Sequence, residues 1–194
     1  PSVPGYVYAV HNSEVYVNLF MSNNSTLKVA GKNVSLQQKT TYPWNGDIRI
    51  NVNPYGKQHF KLKIRIPGWV RSEVVPSNLY TYNDRKKISY NVKVNGELQK
   101  AVFDNGYFSI NRQWKKGDVV EVHFDMEPRT VKAHSAVEAD RGKLAVERGP
   151  IVYCAEWPDN DFSVLSIIMN KKPSFEVVSK PELLKGITQL KTDA

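Results

Sequence analysis

The 194-residue sequence has one cysteine, Cys154, and four histidines. A single cysteine excludes an internal disulfide framework and a zinc site built on several cysteines. No apolar run approaches the roughly 20 residues that a membrane-spanning helix needs, so no membrane partner is expected. The N-terminus lacks the charged and apolar regions of a signal peptide. Because the chain begins without Met and in mid-pattern, we interpret it as a fragment or a processed chain.

The sequence also lacks the common catalytic and nucleotide-binding motifs. It has no glycine-rich phosphate loop, no G-x-S-x-G turn and no H-x-H or H-E-x-x-H metal pattern. The isolated positions of the histidines therefore predict surface or strand residues and not metal ligands. The histidines are His11, His59, His123 and His134.

Positive charge is in excess, with 27 Lys and Arg against 19 Asp and Glu, which gives a net charge of +8. The charged residues are spread along the chain, often between apolar ones. This distribution is typical of the solvated face of a sheet. No zinc-finger spacing or aromatic RNA-binding signature accompanies the charge, so no nucleic-acid partner is expected.

Alternation of apolar and polar residues is the strongest pattern in the sequence. In the stretch 59–67, HFKLKIRIP, the apolar residues Phe60, Leu62, Ile64 and Ile66 alternate with Lys and Arg. Similar alternation occurs in 14–20, 88–96 and 118–126. This period predicts half-buried antiparallel strands with one wet face.

Turn residues separate these strands at short intervals. The pairs Asn45-Gly46, Asn95-Gly96 and Asn105-Gly106 suit tight hairpins, because both central residues of such a turn need positive φ. Many short strands with turns between them predict an all-β fold, an antiparallel β-sandwich followed by part of a second one. The stretch 179–186, SKPELLKG, is expected to form one or two helical turns, with Ser179 as N-cap.

The alternation lapses over residues 126–143 and resumes at Leu144. We therefore predict a β-sandwich at 1–128 and the start of a second, strand-rich C-terminal domain at 129–194. The second part has only about 65 residues, which is short for a complete sandwich. It is expected to be incomplete.

Five aromatic residues lie close to predicted turns. Two interpretations stay open: the rings form an exposed sugar-binding platform, or they cap the sandwich and bury against a neighbouring domain. Tyr42, Trp44 and Trp69 are the candidate residues for sugar contact or interdomain contact. The full set is Tyr42, Trp44, Trp69, Trp114 and Trp157.

Cys154 lies in the predicted strand GPIVYCAEW, residues 149–157. A reactive thiolate needs a base, a cation or a helix N-terminus beside it, and the sequence places no histidine nearby. Free cysteine is among the most buried residue types, so we predict a buried, inert strand residue. An acid–base pair within the chain would come from carboxylates such as Asp125 with Glu127, Glu147 with Glu156, or Asp159 with Asp161, and no spacing favours one of them.

Six stretches in series resemble a known family. They are VYVNLF (15–20), QKTTYPWNGDIRINV (38–52), FKLKIRIPGW (60–69), VNGE (94–97), GYFSINRQWKKGDVVEVHFDMEPR (106–129) and GKLAVERGPIVYCAEWPDN (142–160). Together they resemble the C-terminal β-sandwich region of the β-L-arabinofuranosidase-type glycoside hydrolases, family 127 and its close relatives. The resemblance covers most of residues 6–160.

The resemblance implies that this chain is an accessory part of a larger enzyme. In that family the active site lies in an N-terminal (α/α)6 barrel, where a glutamate and cysteines hold zinc and one cysteine is the nucleophile. No position of this chain matches those residues, so we assign it no catalytic residue and no metal ligand, and zinc is expected in the barrel. The implied partners are the barrel of the same polypeptide and carbohydrate, and any export signal would lie upstream of Pro1. The alternative is a stand-alone carbohydrate-binding module that uses exposed aromatics.

Overall fold

The computed structural model describes residues 2–100, 102–161, 163–170 and 173–192, except for the side chain of Asp159. These residues form strands joined by turns and five short 3-10 segments, and no α-helix occurs among them. In the described part of the chain, no helix has the length and apolar character that crossing a membrane requires. The all-β fold class predicted from the sequence is confirmed.

Strands occupy most of the described chain. The first nine are β1 (Tyr8–His11), β2 (Glu14–Val17), β3 (Asn23–Val29), β4 (Lys32–Thr40), β5 (Asp47–Pro54), β6 (Gln58–Arg65), β7 (Tyr80–Tyr82), β8 (Tyr90–Val94) and β9 (Glu97–Leu98). The others are β10 (Val102–Asp104), β11 (Tyr107–Trp114), β12 (Asp118–Phe124), β13 (Pro128–Ala133), β14 (Leu144–Arg148), β15 (Ile151–Tyr153), β16 (Glu176–Lys180) and β17 (Ile187–Lys191). The 3-10 segments are Val3–Tyr6, Gly68–Arg71, Glu138–Asp140, Trp157–Asp159 and Val164–Ser166.

The chain divides into two compact units. The first comprises Pro1–Glu73 and Lys86–Met126, and the second comprises Val74–Arg85 and Glu127–Ala194. A short excursion of the chain, which contains β7, thus belongs to the second unit.

The first unit contains two sheets that pack face to face. One has the order β1-β2-β6-β11-β10, with β2 and β6 parallel, and the other has the order β3-β4-β5-β12-β8-β9. Side chains join the sheets: Gln58 on β6 donates to the carbonyl of Val29 on β3 at 2.7 Å, and Gln38 on β4 donates to the hydroxyl of Tyr8 on β1 at 2.9 Å. The two inner faces form one core.

Alternation along the strands decides which residues enter this core. On β6, Phe60, Leu62 and Ile64 are at most 1% exposed, as the sequence pattern predicts. Burying a side chain of this size contributes about 1.5–3 kcal/mol. The strand in 14–20 is shorter than its alternation predicts. β2 ends at Val17, and Phe20 is the buried residue beyond it.

Two of the three Asn-Gly pairs form the predicted tight turns. Asn95-Gly96 and Asn105-Gly106 have positive φ at both positions and join β8 to β9 and β10 to β11. The expectation was wrong for Asn45-Gly46, where neither residue has positive φ. That pair lies in a six-residue loop, 41–46, between β4 and β5.

The second unit contains a four-stranded sheet, β15-β14-β13-β7, and the hairpin β16-β17. The helical turns predicted for 179–186 are wrong: Ser179 lies in β16 and pairs with Thr188. Leu184 and Lys185 have positive φ and reverse the chain before β17. A long hairpin ladder satisfies more backbone groups than a helix of one or two turns, which leaves most of its terminal groups without partners.

Candidate functional site

The predicted aromatic residues lie at one end of the first unit. Tyr42 and Trp44 belong to the loop 41–46 and are half-buried. Trp69 lies in the 3-10 segment after β6 and is only 8% exposed. Its indole N–H donates to the hydroxyl of Tyr42 at 3.3 Å. The structure therefore brings Tyr42 and Trp69 together.

These two residues belong to an aromatic cluster, defined here as Phe20, Tyr42, Trp69, Tyr90 and Phe124. The ring of Phe124 lies 5.5 Å from that of Phe20, 5.8 Å from that of Trp69 and 6.3 Å from that of Tyr90. The ring of Tyr42 meets that of Phe20 edge-on at 5.5 Å. Edge-to-face contacts, such as those of Tyr42 with Phe20 and of Trp69 with Phe124, stabilise a core beyond the area that they bury. Burial raises the pKa of Tyr42.

The other two tryptophans lie elsewhere. Trp114 is fully buried, and its indole donates to the carbonyl of Phe60 at 3.0 Å. Trp157, in the second unit, is 58% exposed. Contact of Tyr42, Trp44 or Trp69 with sugar or with another domain stays a prediction.

A close backbone contact fixes the loop 41–46 against β12. The amide of Phe124 donates to the carbonyl of Gly46 at 3.0 Å. A Cβ atom added to Gly46 would lie 1.9 Å from the carbonyl oxygen of Phe124. Only glycine fits this position, although its φ is unremarkable.

A histidine lies between two carboxylates beside this loop. Nδ1 of His123 is 2.6 Å from Oδ1 of Asp47, and Nε2 is 3.0 Å from Oδ1 of Asp125. Asp47 is the register partner of His123 across the β5–β12 ladder, and Asp125 directly follows β12. The hydrogen bond to Asp47 is the main cause that raises the pKa of His123. We call these three residues the histidine cluster.

The histidine cluster borders a shallow cavity of about 500 Å³ on the outer face of the second sheet. Charged side chains from four adjacent strands line it, and Arg49 and Glu121 form an ion pair across β5 and β12. The sequence correctly predicted that His123 is a surface or strand residue. It missed the cluster, and the only local signal was the spacing of His123 and Asp125 on one strand face.

The second unit has its own buried polar cluster. The guanidinium of Arg129 makes two hydrogen bonds to Asp84, at 2.8 and 3.2 Å, and lies 3.5 Å from the ring centroid of Tyr82. The hydroxyl of Tyr82 donates to Glu147 at 2.8 Å. Burial raises the pKa of Glu147. These contacts hold β7 and the residues after it to β13 and β14.

Two family models match the chain in succession. The model described as "Beta-L-arabinofuranosidase, GH127 middle domain" covers residues 14–126. The model described as "Glycoside hydrolase family 127 C-terminal domain" covers residues 128–186. The chain belongs to glycoside hydrolase family 127. The resemblance inferred from the six stretches is confirmed.

Members of family 127 are similar along nearly the whole chain. A non-reducing end β-L-arabinofuranosidase of Bifidobacterium longum subsp. longum is 30% identical over 168 residues, which cover 82% of this chain and 22% of that protein. A solved GH127 β-arabinofuranosidase has a TM-score of 0.95 and 61% identity and covers 100% of this chain and 30% of its own. A GH127 β-L-arabinofuranosidase from Geobacillus stearothermophilus T6 has a TM-score of 0.85 and 32% identity, and the match covers 98% of this chain and 28% of that protein. The chain thus spans less than a third of the length of these relatives.

Cys154 differs from the prediction made for it. The residue is exposed and directly follows the end of β15, which is the edge strand of its sheet. Its Sγ lies 3.8 Å from a carboxylate oxygen of Glu156.

The described residues do not fit a zinc centre. No group of three His, Cys, Asp or Glu side chains within the described ranges could hold a metal ion. Several of the carboxylates considered for an acid–base pair have other partners: Asp125 bonds to His123, Glu147 accepts from Tyr82 and Glu156 lies beside the thiol of Cys154. The side chain of Asp159 lies outside the described part of the chain.

Proposed function

We propose that this chain is the non-catalytic middle and C-terminal region of a larger family 127 hydrolase that acts on arabinofuranosides in plant-type polysaccharides or glycans. The observation that carries the proposal is the succession of the two family models over 14–126 and 128–186. The relatives named as arabinofuranosidases are between three and five times as long as the stretch they share with this chain. The region serves as an accessory and structural part of the enzyme.

The chemistry of this chain supports a non-catalytic role. A cysteine nucleophile is usually paired with a histidine, another cation or a helix N-terminus, whereas the side chain bonded to Cys154 is the carboxylate of Glu156. We propose that zinc and the catalytic residues belong to an N-terminal (α/α)6 barrel of the same polypeptide. No catalytic step is assigned to residues of this chain.

The loop 41–46 is the proposed contact with the barrel. The Trp69 ring is already buried within the first unit, while Tyr42 and Trp44 keep part of their surface exposed. Amphipathic rings of this kind suit an interface with one dry and one wet side. Hydrogen exchange compared between this chain and the full-length parent tests the contact: amides of 41–46 should exchange more slowly in the parent. Equal exchange in both would contradict it.

The alternative, a stand-alone carbohydrate-binding module, has Trp44 as its principal ring. It requires the isolated chain to bind arabinose-rich polysaccharide and Trp44→Ala to weaken that binding. Trp157→Ala is the matched control, because Trp157 is an exposed tryptophan in the other unit. Under our proposal the isolated chain does not bind. Binding that Trp44→Ala reduces and Trp157→Ala leaves intact would replace our proposal with this alternative.

A further inference from the structure

The geometry of the histidine cluster requires a positively charged ring. Nδ1 and Nε2 of His123 both lie within hydrogen-bond distance of a carboxylate oxygen. A carboxylate that is ionised only accepts hydrogen bonds, and a neutral imidazole has a single N–H to donate. Both contacts can therefore be hydrogen bonds only when the ring carries two N–H groups, as the imidazolium does.

The two carboxylates belong to different segments of the chain. Asp47 is the first residue of β5 and directly follows the loop 41–46, and Asp125 directly follows β12. The pair of His123 and Asp47 is the last of the β5–β12 ladder, and the amide of Phe124 reaches the loop at Gly46. Strand ends are where local opening of a sheet begins. The histidine cluster thus lies at the last pair of the β5–β12 ladder, next to the loop 41–46, where local opening would begin.

We propose that His123 is a pH-dependent clamp on the loop 41–46. As an imidazolium it binds Asp47 and Asp125 together, and after losing one proton to solvent it can donate to only one of them. The released carboxylate then faces a nitrogen lone pair, which repels it. Loss of the clamp loosens the loop that presents Tyr42 and Trp44. This inference does not depend on the proposed function.

Charges on every adjacent strand bear on this equilibrium. Arg49 and Glu121 are paired with each other, so their effects on His123 largely cancel. Lys39 and Lys93 disfavour a second positive charge, but they do not bond to the ring. The charged groups that face His123 are Asp47 and Arg49 on β5, Lys93 on β8, Glu121 on β12, Asp125 after β12, and Lys39 on β4.

The sign of the effect follows from the raised pKa of His123. The contribution of the clamp is fully present below the pKa of an unfolded histidine, about 6.5, and is lost as pH rises through the higher folded value. The loop should therefore be held most firmly at mildly acidic pH.

Two NMR measurements on the 194-residue chain test the clamp. The titration midpoint of His123 is measured between pH 5 and 9, and exchange of the Phe124 amide is followed over the same range and corrected for the intrinsic rate. We expect protection of this amide to fall by about tenfold for each pH unit by which the midpoint exceeds 6.5. Protection that stays constant through the titration of His123 would overturn the proposal.

Asp125→Asn separates the clamp from a general effect of pH. The amide of asparagine can donate to Nε2 of a neutral ring while Nδ1–H still donates to Asp47. This variant should keep Phe124 better protected at high pH than the parent chain does and reduce the pH dependence to the part that Asp47 alone confers. His59→Gln, at an exposed histidine on β6, is the control and should leave the pH dependence intact. A fall in protection that is as large in Asp125→Asn as in the parent chain would also overturn the proposal.

Discussion

Arg129 and Asp84 lie 45 positions apart in the sequence and join in a two-point ion pair, with Nη2 2.8 Å from Oδ1 and Nε 3.2 Å from Oδ2. The side chain of Arg129 is 4% exposed. Asp84 falls within the match of the middle-domain model and Arg129 within that of the C-terminal model. Both residues nevertheless belong to one compact unit. The boundary between the family models is thus not the boundary between the packed units.

Replacing Asp84 with Asn should destabilise the second unit. The change removes a carboxylate that accepts two hydrogen bonds from a buried guanidinium, and removing one partner of a buried hydrogen-bonded pair costs about 1–3 kcal/mol. The loss of unfolding free energy is measured by urea unfolding, with hydrogen exchange of an amide in the second unit, such as that of Val131, as the probe. Arg141→Met is the matched control, because Arg141 and Glu138 form an exposed pair at 3.8 Å that contributes roughly 0–1 kcal/mol. Equal losses of unfolding free energy in the two variants would show that the buried Arg129–Asp84 pair stabilises the unit no more than an exposed pair does.

Gly46→Ala should destabilise the first unit. Elsewhere this replacement often stabilises a protein, because alanine restricts the backbone of the unfolded chain more than glycine does. The added Cβ would lie 1.9 Å from the Phe124 carbonyl, so the loop 41–46 or the end of β12 must move. Overpacking of this kind costs about 1–3 kcal/mol, which thermal unfolding detects as a lower Tm. Gly5→Ala is the control, since a Cβ there meets nothing within 4 Å. A Gly46→Ala variant as stable as the parent chain would mean that the close approach at Phe124 is not fixed.

The first unit should lose stability in acid through Glu14. Hydrogen bonds from Lys61 and Tyr16 are the main causes that lower the pKa of Glu14 to about 2. Because the folded pKa is depressed, the stabilisation is present above the ordinary value of 4.5 and is lost as pH falls toward 2. The free energy of unfolding, measured with urea from pH 5 to 2, should decline less steeply in Glu14→Gln than in the parent chain. Glu97→Gln, at an exposed glutamate on β9, should keep the parent slope, and the same slope in all three proteins would contradict the account.

The sequence was sufficient to predict the strands and the all-β class. Alternation with period two is a local property, and it correctly identified the buried faces of β6 and β12. The turns at Asn95-Gly96 and Asn105-Gly106 were also predictable, since Asn and Gly tolerate the positive φ that both central positions of such a turn require. The residues of the six motifs and their order in the chain were enough to identify the family.

Features that depend on distant contacts were not predictable from the sequence. The exposure of Cys154 depends on β15 ending at Tyr153 and on what packs against that end of the sheet, which alternation does not reveal. The need for glycine at residue 46 comes from the approach of Phe124, not from its own φ. The histidine cluster requires the register of β5 against β12, and the placement of β7 in the second unit requires its pairing with β13. Long-range pairing of this kind leaves little local signal.

The central claim is that catalysis in this family 127 protein lies outside this chain, and a paired glycosidase assay tests it most directly. The 194-residue chain and the full-length parent are each incubated with a chromogenic β-L-arabinofuranoside in the presence of zinc, after circular dichroism has verified that the chain is folded. We predict release of the chromophore by the parent and no release above the buffer background by the chain alone. Release by the isolated chain would contradict the account and would place catalytic groups among its own residues, beginning with Cys154 and the carboxylates near it.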